Sequence, residues 1–168
     1  MNILGISGWS GNGKTTLLTR LIPALNGRGL TVSTIKHAHH RFDIDKPGKD
    51  SFRHREAGAQ EVLISSSNRW ALMHENHDSQ EASLEDLLAH ISPVDLLLIE
   101  GFKTEDFEKI EVWRAEHGSQ ARVHDDPSII AVATPDDIPD ANVPLLDLNN
   151  EQEIATFIIE HFKLNTRS

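Results

Sequence analysis

The stretch "GISGWSGNGKTT", Gly5 to Thr16, stands almost at the start of the chain. Within it, Gly8-Trp9-Ser10-Gly11-Asn12-Gly13-Lys14-Thr15 spells a phosphate loop: two glycines with four residues between them, then Lys, then Ser or Thr. Each residue type has a physical reason to be there. Glycines at Gly8, Gly11 and Gly13 let the backbone take positive φ and turn successive N–H groups round a phosphate, with no Cβ in the way. A helix beginning near Lys14 aims its unpaired N–H groups and positive dipole end at the same anion. Lys14 supplies a mobile charge for the outer phosphates, and the Thr15 hydroxyl is placed to coordinate magnesium. Asn12 lies inside the cradle and Thr16 reaches the inner phosphate. The plain alternative is a glycine-rich turn before a helix. The flanking pattern argues against it, because Asn2 to Ser7 reads as a buried strand and Lys14 to Leu25 as a helix. The stretch therefore predicts a nucleoside-triphosphate site.

Outward from the loop, strands and helices alternate. Leu17, Leu18, Leu21, Ile22 and Leu25 recur at helical spacing. Pro23 is expected to kink that helix, and Gly27 and Gly29 to end it. Leu30 to Lys36 reads as a second strand, followed by a polar segment from His37 to Gly58 with a short helix near Phe52 to Ala57. Glu61 to Ser65 and Arg69 to His74 are expected to pair across Ser66-Ser67-Asn68. Ser83, with Asp86 three residues on, caps a helix through Ile91. Asp95 to Ile99, Lys109 to Arg114, Ile129 to Ala133 and Val143 to Leu148 read as strands. Asn150 caps a last helix whose stripe is Ile154, Phe157, Ile158 and Phe162. The expectation is an α/β, P-loop NTPase-like fold: a mostly parallel twisted sheet with helices on both faces.

The chain of 168 residues fits one domain over its whole length. It has no cysteine, which excludes disulfides and thiolate metal sites and makes a cytoplasmic setting the default. Its N-terminal apolar run is too short for a signal peptide, and nothing approaches the roughly 20 apolar residues of a membrane span. The net charge of −10 argues against nucleic acid as a partner. That average divides unevenly: residues 1–60 carry a net +5 and residues 61–168 a net −15. Positive charge gathered near the glycine loop suits a small polyanion site on an acidic body.

A bound metal needs a carboxylate from elsewhere. Asp95-Leu96-Leu97-Leu98-Ile99-Glu100-Gly101 is an apolar strand ending in an acid, which is how a buried strand delivers a metal ligand to a phosphate loop. Glu100 is the first candidate, against the reading of a merely exposed acid past a strand. The second candidate for that carboxylate is Asp45, in Asp45-Lys46-Pro47-Gly48, which spells the Asp-x-x-Gly of a γ-phosphate sensor and equally suits a Pro-Gly turn. Lys49, Arg53 and Arg55 either close over phosphates or form a solvated helix face. Lys36-His37-Ala38-His39-His40 invites a metal reading, yet lacks a matching distant ligand motif; loop polarity or ligand contact accounts for it better. Thr134-Pro135-Asp136-Asp137 keeps the Thr and Asp spacing of a guanine-reading loop without its lysine; a polar turn explains it equally well, and physics leaves the base undecided.

Taken in order, the loop opening with Trp-Ser-Gly, then Ile-Lys-His-x-His-His, Asp-x-Asp-Lys-Pro-Gly-Lys-Asp-Ser, Ala-Gly-Ala, Arg-Trp-Ala-Leu-Met and Leu-Ile-Glu-Gly-Phe-Lys, the chain resembles the molybdopterin-guanine dinucleotide biosynthesis protein B family. The likeness runs from about Ile3 to Arg114, with a looser match beyond. It implies a homodimeric, cytoplasmic GTP-binding adapter of weak GTPase activity. Such an adapter assists the molybdenum cofactor guanylyltransferase that joins GMP to molybdopterin, and helps deliver cofactor to molybdoenzymes or their chaperones. Carried over by position, Gly11 to Thr16 hold phosphates and magnesium, Glu100 serves the metal, and Asp45 to Asp50, with Gly48, form the γ-phosphate sensor. Catalytic parts fall to Lys14, Asp45 and Glu100, and the guanine-reading position to Asp137.

Two other classes use the same loop. A small-molecule kinase would add a general base and an arginine lid, for which Arg53 and Arg55 could stand. A nucleotide sensor would change partner affinity on binding, without hydrolysis. No arginine or glutamine is marked by the sequence as a charge-stabilising or water-positioning group, which fits slow turnover.

Overall fold

A strand covered on both faces needs apolar residues at successive positions, and Leu96–Glu100 (β5, LLLIE) meets that demand, with its first four residues buried. A computed structural model describes residues 1–38, 42–76, 81–102 and 104–167. In it β5 pairs in parallel with Asn2–Ser7 (β1) on one side and Val32–Lys36 (β2) on the other. On the far side of β1 follow Lys109–Val112 (β6), Ile129–Thr134 (β7) and Leu145–Asp147 (β8), giving the order β2-β5-β1-β6-β7-β8. Every pairing in this sheet is parallel. The C-terminal ends of β1, β5, β6 and β7 therefore share one edge, where open parallel sheets bind ligands.

Contacts group the chain into two compact units, residues 1–37 with 92–168, and residues 38–91. In the first, Lys14–Asn26 (α1) buries Leu17, Leu18, Leu21, Ala24 and Leu25, and Glu151–Phe162 (α4) buries Ile154, Ala155 and Ile158. These side chains form one core with Leu4, Ile6, Leu96, Leu98, Ile110, Val112, Ala131 and Ala133 of the sheet. The other face of β7 packs Ile129 and Val132 with Ala121 and Ile138, beside the 3₁₀ turn Arg122–His124.

The expected elements are present with shifted ends. α1 runs through Pro23 to Asn26, and the Pro23 carbonyl accepts from the Gly27 N–H at 2.9 Å. Phe157 and Phe162 lie at the rim of the core rather than in it. β6 stops at Val112 and leaves Trp113 and Arg114 to the next loop.

In the second unit, Glu61–Ser65 (β3) and Trp70–His74 (β4) form an antiparallel hairpin, with Asp50–Glu56 (α2) before it and Leu84–Leu88 (α3) after it. The hairpin turn is held by Ser66, whose hydroxyl accepts from the N–H groups of Asn68 and Arg69. α3 carries the expected capping box between Ser83 and Asp86, and it ends at Leu88, short of Ile91. Among the described residues no helix is long and apolar enough to cross a membrane.

At the edge formed by the N-terminal ends of the strands, Asp95 ties three strand starts together. Its Oδ2 accepts from the Thr31 N–H at 2.8 Å and the Thr31 hydroxyl at 2.7 Å, and its backbone carbonyl accepts from Asn2 Nδ2 at 3.2 Å. The Thr31 backbone N–H, then its hydroxyl, hold the Asp95 carboxyl below its ordinary pKa. A depressed folded pKa means that the charged group adds stability above the unfolded value, near 4, and that this is lost as pH falls through the folded pKa. Asp95→Asn is expected to lower the thermal midpoint at neutral pH, with the gap to wild type closing below about pH 4. Calorimetry across that range measures it; a gap constant with pH would remove the charge from this account.

Candidate functional site

The loop leaving β1 turns on three glycines with positive φ: Gly8 at 130°, Gly11 at 89° and Gly13 at 99°. At Gly8 the requirement is double, since a Cβ there would stand 2.3 Å from the Val112 carbonyl oxygen of β6. Asn12 is fully buried and donates from Nδ2 to that same oxygen at 3.2 Å. The loop is thus pinned to β6 at one carbonyl.

Gly13 is the N-cap of α1, in the left-handed region, with no side-chain cap and no acid in the first turn. The first N–H groups of a helix have no intrahelical partner, so this end presents donors and a positive dipole without an internal anion. Lys14 Nζ lies across the loop and donates to the carbonyls of Gly8 at 2.9 Å and Trp9 at 3.0 Å. Thr15 and Thr16 are exposed. Ser7 Oγ and Asn12 Oδ1 are buried without a hydrogen-bond partner. Beyond Gly11 and Gly13, where a Cβ would meet nothing nearer than 4.0 and 3.9 Å, there is room for a phosphate to approach.

Glu100, at the end of β5, is level with Ile6 of β1, and its half-hidden carboxylate faces Lys36 Nζ at 3.5 Å. Gly101 has φ 103°, and a Cβ there would press on the His37 side chain at 2.6 Å. His37 itself lies against the Phe102 ring at 4.7 Å. His39, His40 and Lys103 lie outside the described residues. On the other side, Asp136 accepts from the Ala115 N–H at 2.9 Å, while Asp137, the expected base reader, is exposed on the loop after β7.

Asp45, Gly48 and Asp50 belong to the second unit. The Asp45 side chain is buried, and Arg55 engages both its oxygens, at 3.1 and 3.4 Å. Arg55 also faces Asp43, Glu56 and Glu75, and its pKa is raised, chiefly by the Asp45 hydrogen bond and then by the charges of Asp45, Glu75 and Asp43, with burial opposing. The sequence reading gave Asp45 to a metal and Arg55 to a lid; a metal role for Asp45 requires that guanidinium to leave. Gly48 has φ 86° with open space beside it, and Asp50 begins α2, exposed.

Sequence reasoning missed two features of β6 and the loop after it. Glu111 is buried on the face opposite the helices, where burial raises its pKa and the N–H groups of Arg122 and Val123, each at 2.9 Å, partly offset that cost. The segment from Arg114 to Gln120 runs beside the phosphate loop: Trp9 Nε1 donates to the Gln120 carbonyl at 3.2 Å, His117 Cε1 lies 4.0 Å from the Cβ position of Gly11, and Arg114 Nε lies 3.9 Å from that of Gly13. No local pattern announces either, because both depend on which strand neighbours β1.

The chain matches the family model described as "Molybdopterin guanine dinucleotide synthesis protein B" over residues 3–135. It is 46% identical over 163 residues to the molybdopterin-guanine dinucleotide biosynthesis adapter protein of Escherichia coli (strain K12), covering 94% of this chain and 91% of that protein. The protein of the same name from Haemophilus influenzae is 42% identical over 165 residues, covering 95% and 90%. The crystal structure of a MobB protein homolog from Bacillus stearothermophilus superposes with a TM-score of 0.75 at 23% identity, covering 97% of this chain and 99% of that one, which establishes the likeness of fold.

Gly8→Ala places a methyl group against the Val112 oxygen at a φ that side chains disfavour, and is expected to cost at least about 2 kcal/mol. Urea unfolding measures the loss; wild-type stability in this variant would show that β1 and β6 do not meet as described.

Proposed function

The chain belongs to the molybdopterin guanine dinucleotide synthesis protein B family, and from that membership we propose that it is a GTP-binding adapter in molybdopterin guanine dinucleotide biosynthesis. It acts in the cytoplasm as a homodimer, turns GTP over slowly, and assists the guanylyltransferase that attaches GMP to molybdopterin. The observation that carries the nucleotide half of this reading is the glycine loop between β1 and α1, which ends in a helix start bare of side-chain caps and acids. The partner half rests on the names of the two relatives.

In this reading the N–H groups from Gly11 to Thr16 take the phosphates, and Lys14 exchanges the Gly8 and Trp9 carbonyls for phosphate oxygens. The residues fit a magnesium ion: the exposed Thr15 hydroxyl opens the helix, and Glu100 supplies an anionic oxygen from the adjacent strand end. Magnesium, when bound, neutralises phosphate charge. Asp137 is the proposed guanine reader, as an exposed acid on the ligand edge. Slow turnover follows if the water-positioning group comes from a partner.

A ligand that binds only the native state stabilises it by an amount that rises with the logarithm of its concentration, about 2.7 kcal/mol at a hundredfold excess over Kd. GTP with magnesium is expected to raise the thermal midpoint, ATP and CTP to raise it far less, and Lys14→Ala to abolish the shift. Equal stabilisation by ATP would remove the guanine assignment, and an unshifted wild type would remove the nucleotide.

A further inference from the structure

The loop from Arg114 to Gln120 is built rather than slack. At its start the Ala115 N–H donates to Asp136, inside it Trp113 Nε1 donates to the Ser119 carbonyl at 2.9 Å, and just past its end the buried Glu111 holds the N–H groups of Arg122 and Val123. Between these anchors it runs antiparallel to the phosphate loop, meeting Trp9 with Gln120, Gly11 with His117 and Gly13 with Arg114.

That course brings a guanidinium beside the N-cap of α1. A cation is unfavourable there, because the helix start is already positive and Lys14 adds a second charge. The acid paired with Arg114 is Glu116, 3.7 Å away and 68% exposed; the same carboxylate is 3.8 Å from His117. An exposed pair of this kind contributes little and does not explain why the chain fixes a guanidinium at a positive pole. A polyanion in the loop would reverse the sign of its surroundings.

Resting on the reading of the glycine loop as a triphosphate site, we propose that Arg114 is a phosphate-binding residue of that site, and that Glu116 competes with the nucleotide for its guanidinium. Arg114 adds charge-assisted, forked donation along the flank of the loop at Gly13, and Glu116, 3.7 Å from its Nη1, offers the guanidinium a competing negative charge when no anion is present. The two residues therefore act in opposite directions on affinity. His117 sits at the next contact point and shares the same carboxylate.

The test measures binding of GTP, GMP and inorganic tripolyphosphate in magnesium by calorimetry to the whole chain. Arg114→Ala is expected to weaken GTP and tripolyphosphate by about tenfold or more, and GMP much less. Arg114→Lys should recover part of the loss, since it keeps the charge and not the fork. Glu116→Gln, at an exposed position where folding is not at risk, should tighten GTP and tripolyphosphate by about two- to fivefold. A residue that merely shaped the loop would not give effects of opposite sign for the two partners. Equal losses for GTP and GMP would overturn the proposal, as would unchanged or weakened binding in Glu116→Gln. If wild type binds neither GTP nor tripolyphosphate, the triphosphate reading fails and this inference with it; if wild type binds both and Arg114→Ala binds them equally well, this inference alone fails.

Discussion

The carbonyl of Val112 is the point on which the candidate site turns. It faces the Cα of Gly8 so closely that no side chain fits between them, and it accepts from the buried side chain of Asn12. Those two contacts join the exit of β1 to the exit of β6 and fix where the intervening glycines can bend. The orientation of the loop N–H groups, the start of α1 and the course of the chain after β6 follow from that one junction. Preorganisation of this kind lets backbone donors meet an anion without first being ordered, which is where much of the cost of binding otherwise falls.

The parts of the fold legible in the sequence are those set by local pattern. The apolar run Leu96 to Ile99, the glycine loop, the helical spacing in α1 and the hairpin between Ser65 and Trp70 all declare themselves within a dozen residues, and each is where the pattern put it. What escaped the sequence depends on strand order. β1 lies between β5 and β6, so the loop after β6 lies along the phosphate loop, and Arg114 with it. No periodicity carries that adjacency. The stripe of α4 is narrower than its spacing suggested: Ile154 and Ile158 enter the core, while Phe157 and Phe162 pack against it only partly buried.

Charge was legible only in outline. The excess of Lys and Arg in residues 1–60 suggested a polyanion site; Lys14, the cation of the glycine loop, donates to the Gly8 carbonyl. Much of the remainder is consumed internally. Arg20 donates to the Leu148 carbonyl and faces Glu151, and Arg28 binds Thr156 and Gln152, fastening α1 and the turn after it to α4. Arg55 is surrounded by acids of its own unit. A cation in a sequence is a donor in search of an acceptor, and several of these acceptors are carbonyls and amide oxygens that composition cannot count.

The position of β1 also governs the order of assembly. β1 precedes both of its neighbours, which are encoded about 90 residues or more downstream, at Leu96–Glu100 and Lys109–Val112. On the ribosome β1 therefore lacks its sheet partners until β5 and β6 have emerged, and the whole of residues 38–91 is synthesised in the interval. Non-local parallel pairing of this kind closes late and slowly. The same arrangement that places the glycine loop in the middle of the sheet leaves both edges of β1 without their partners until β5 and β6 are in place.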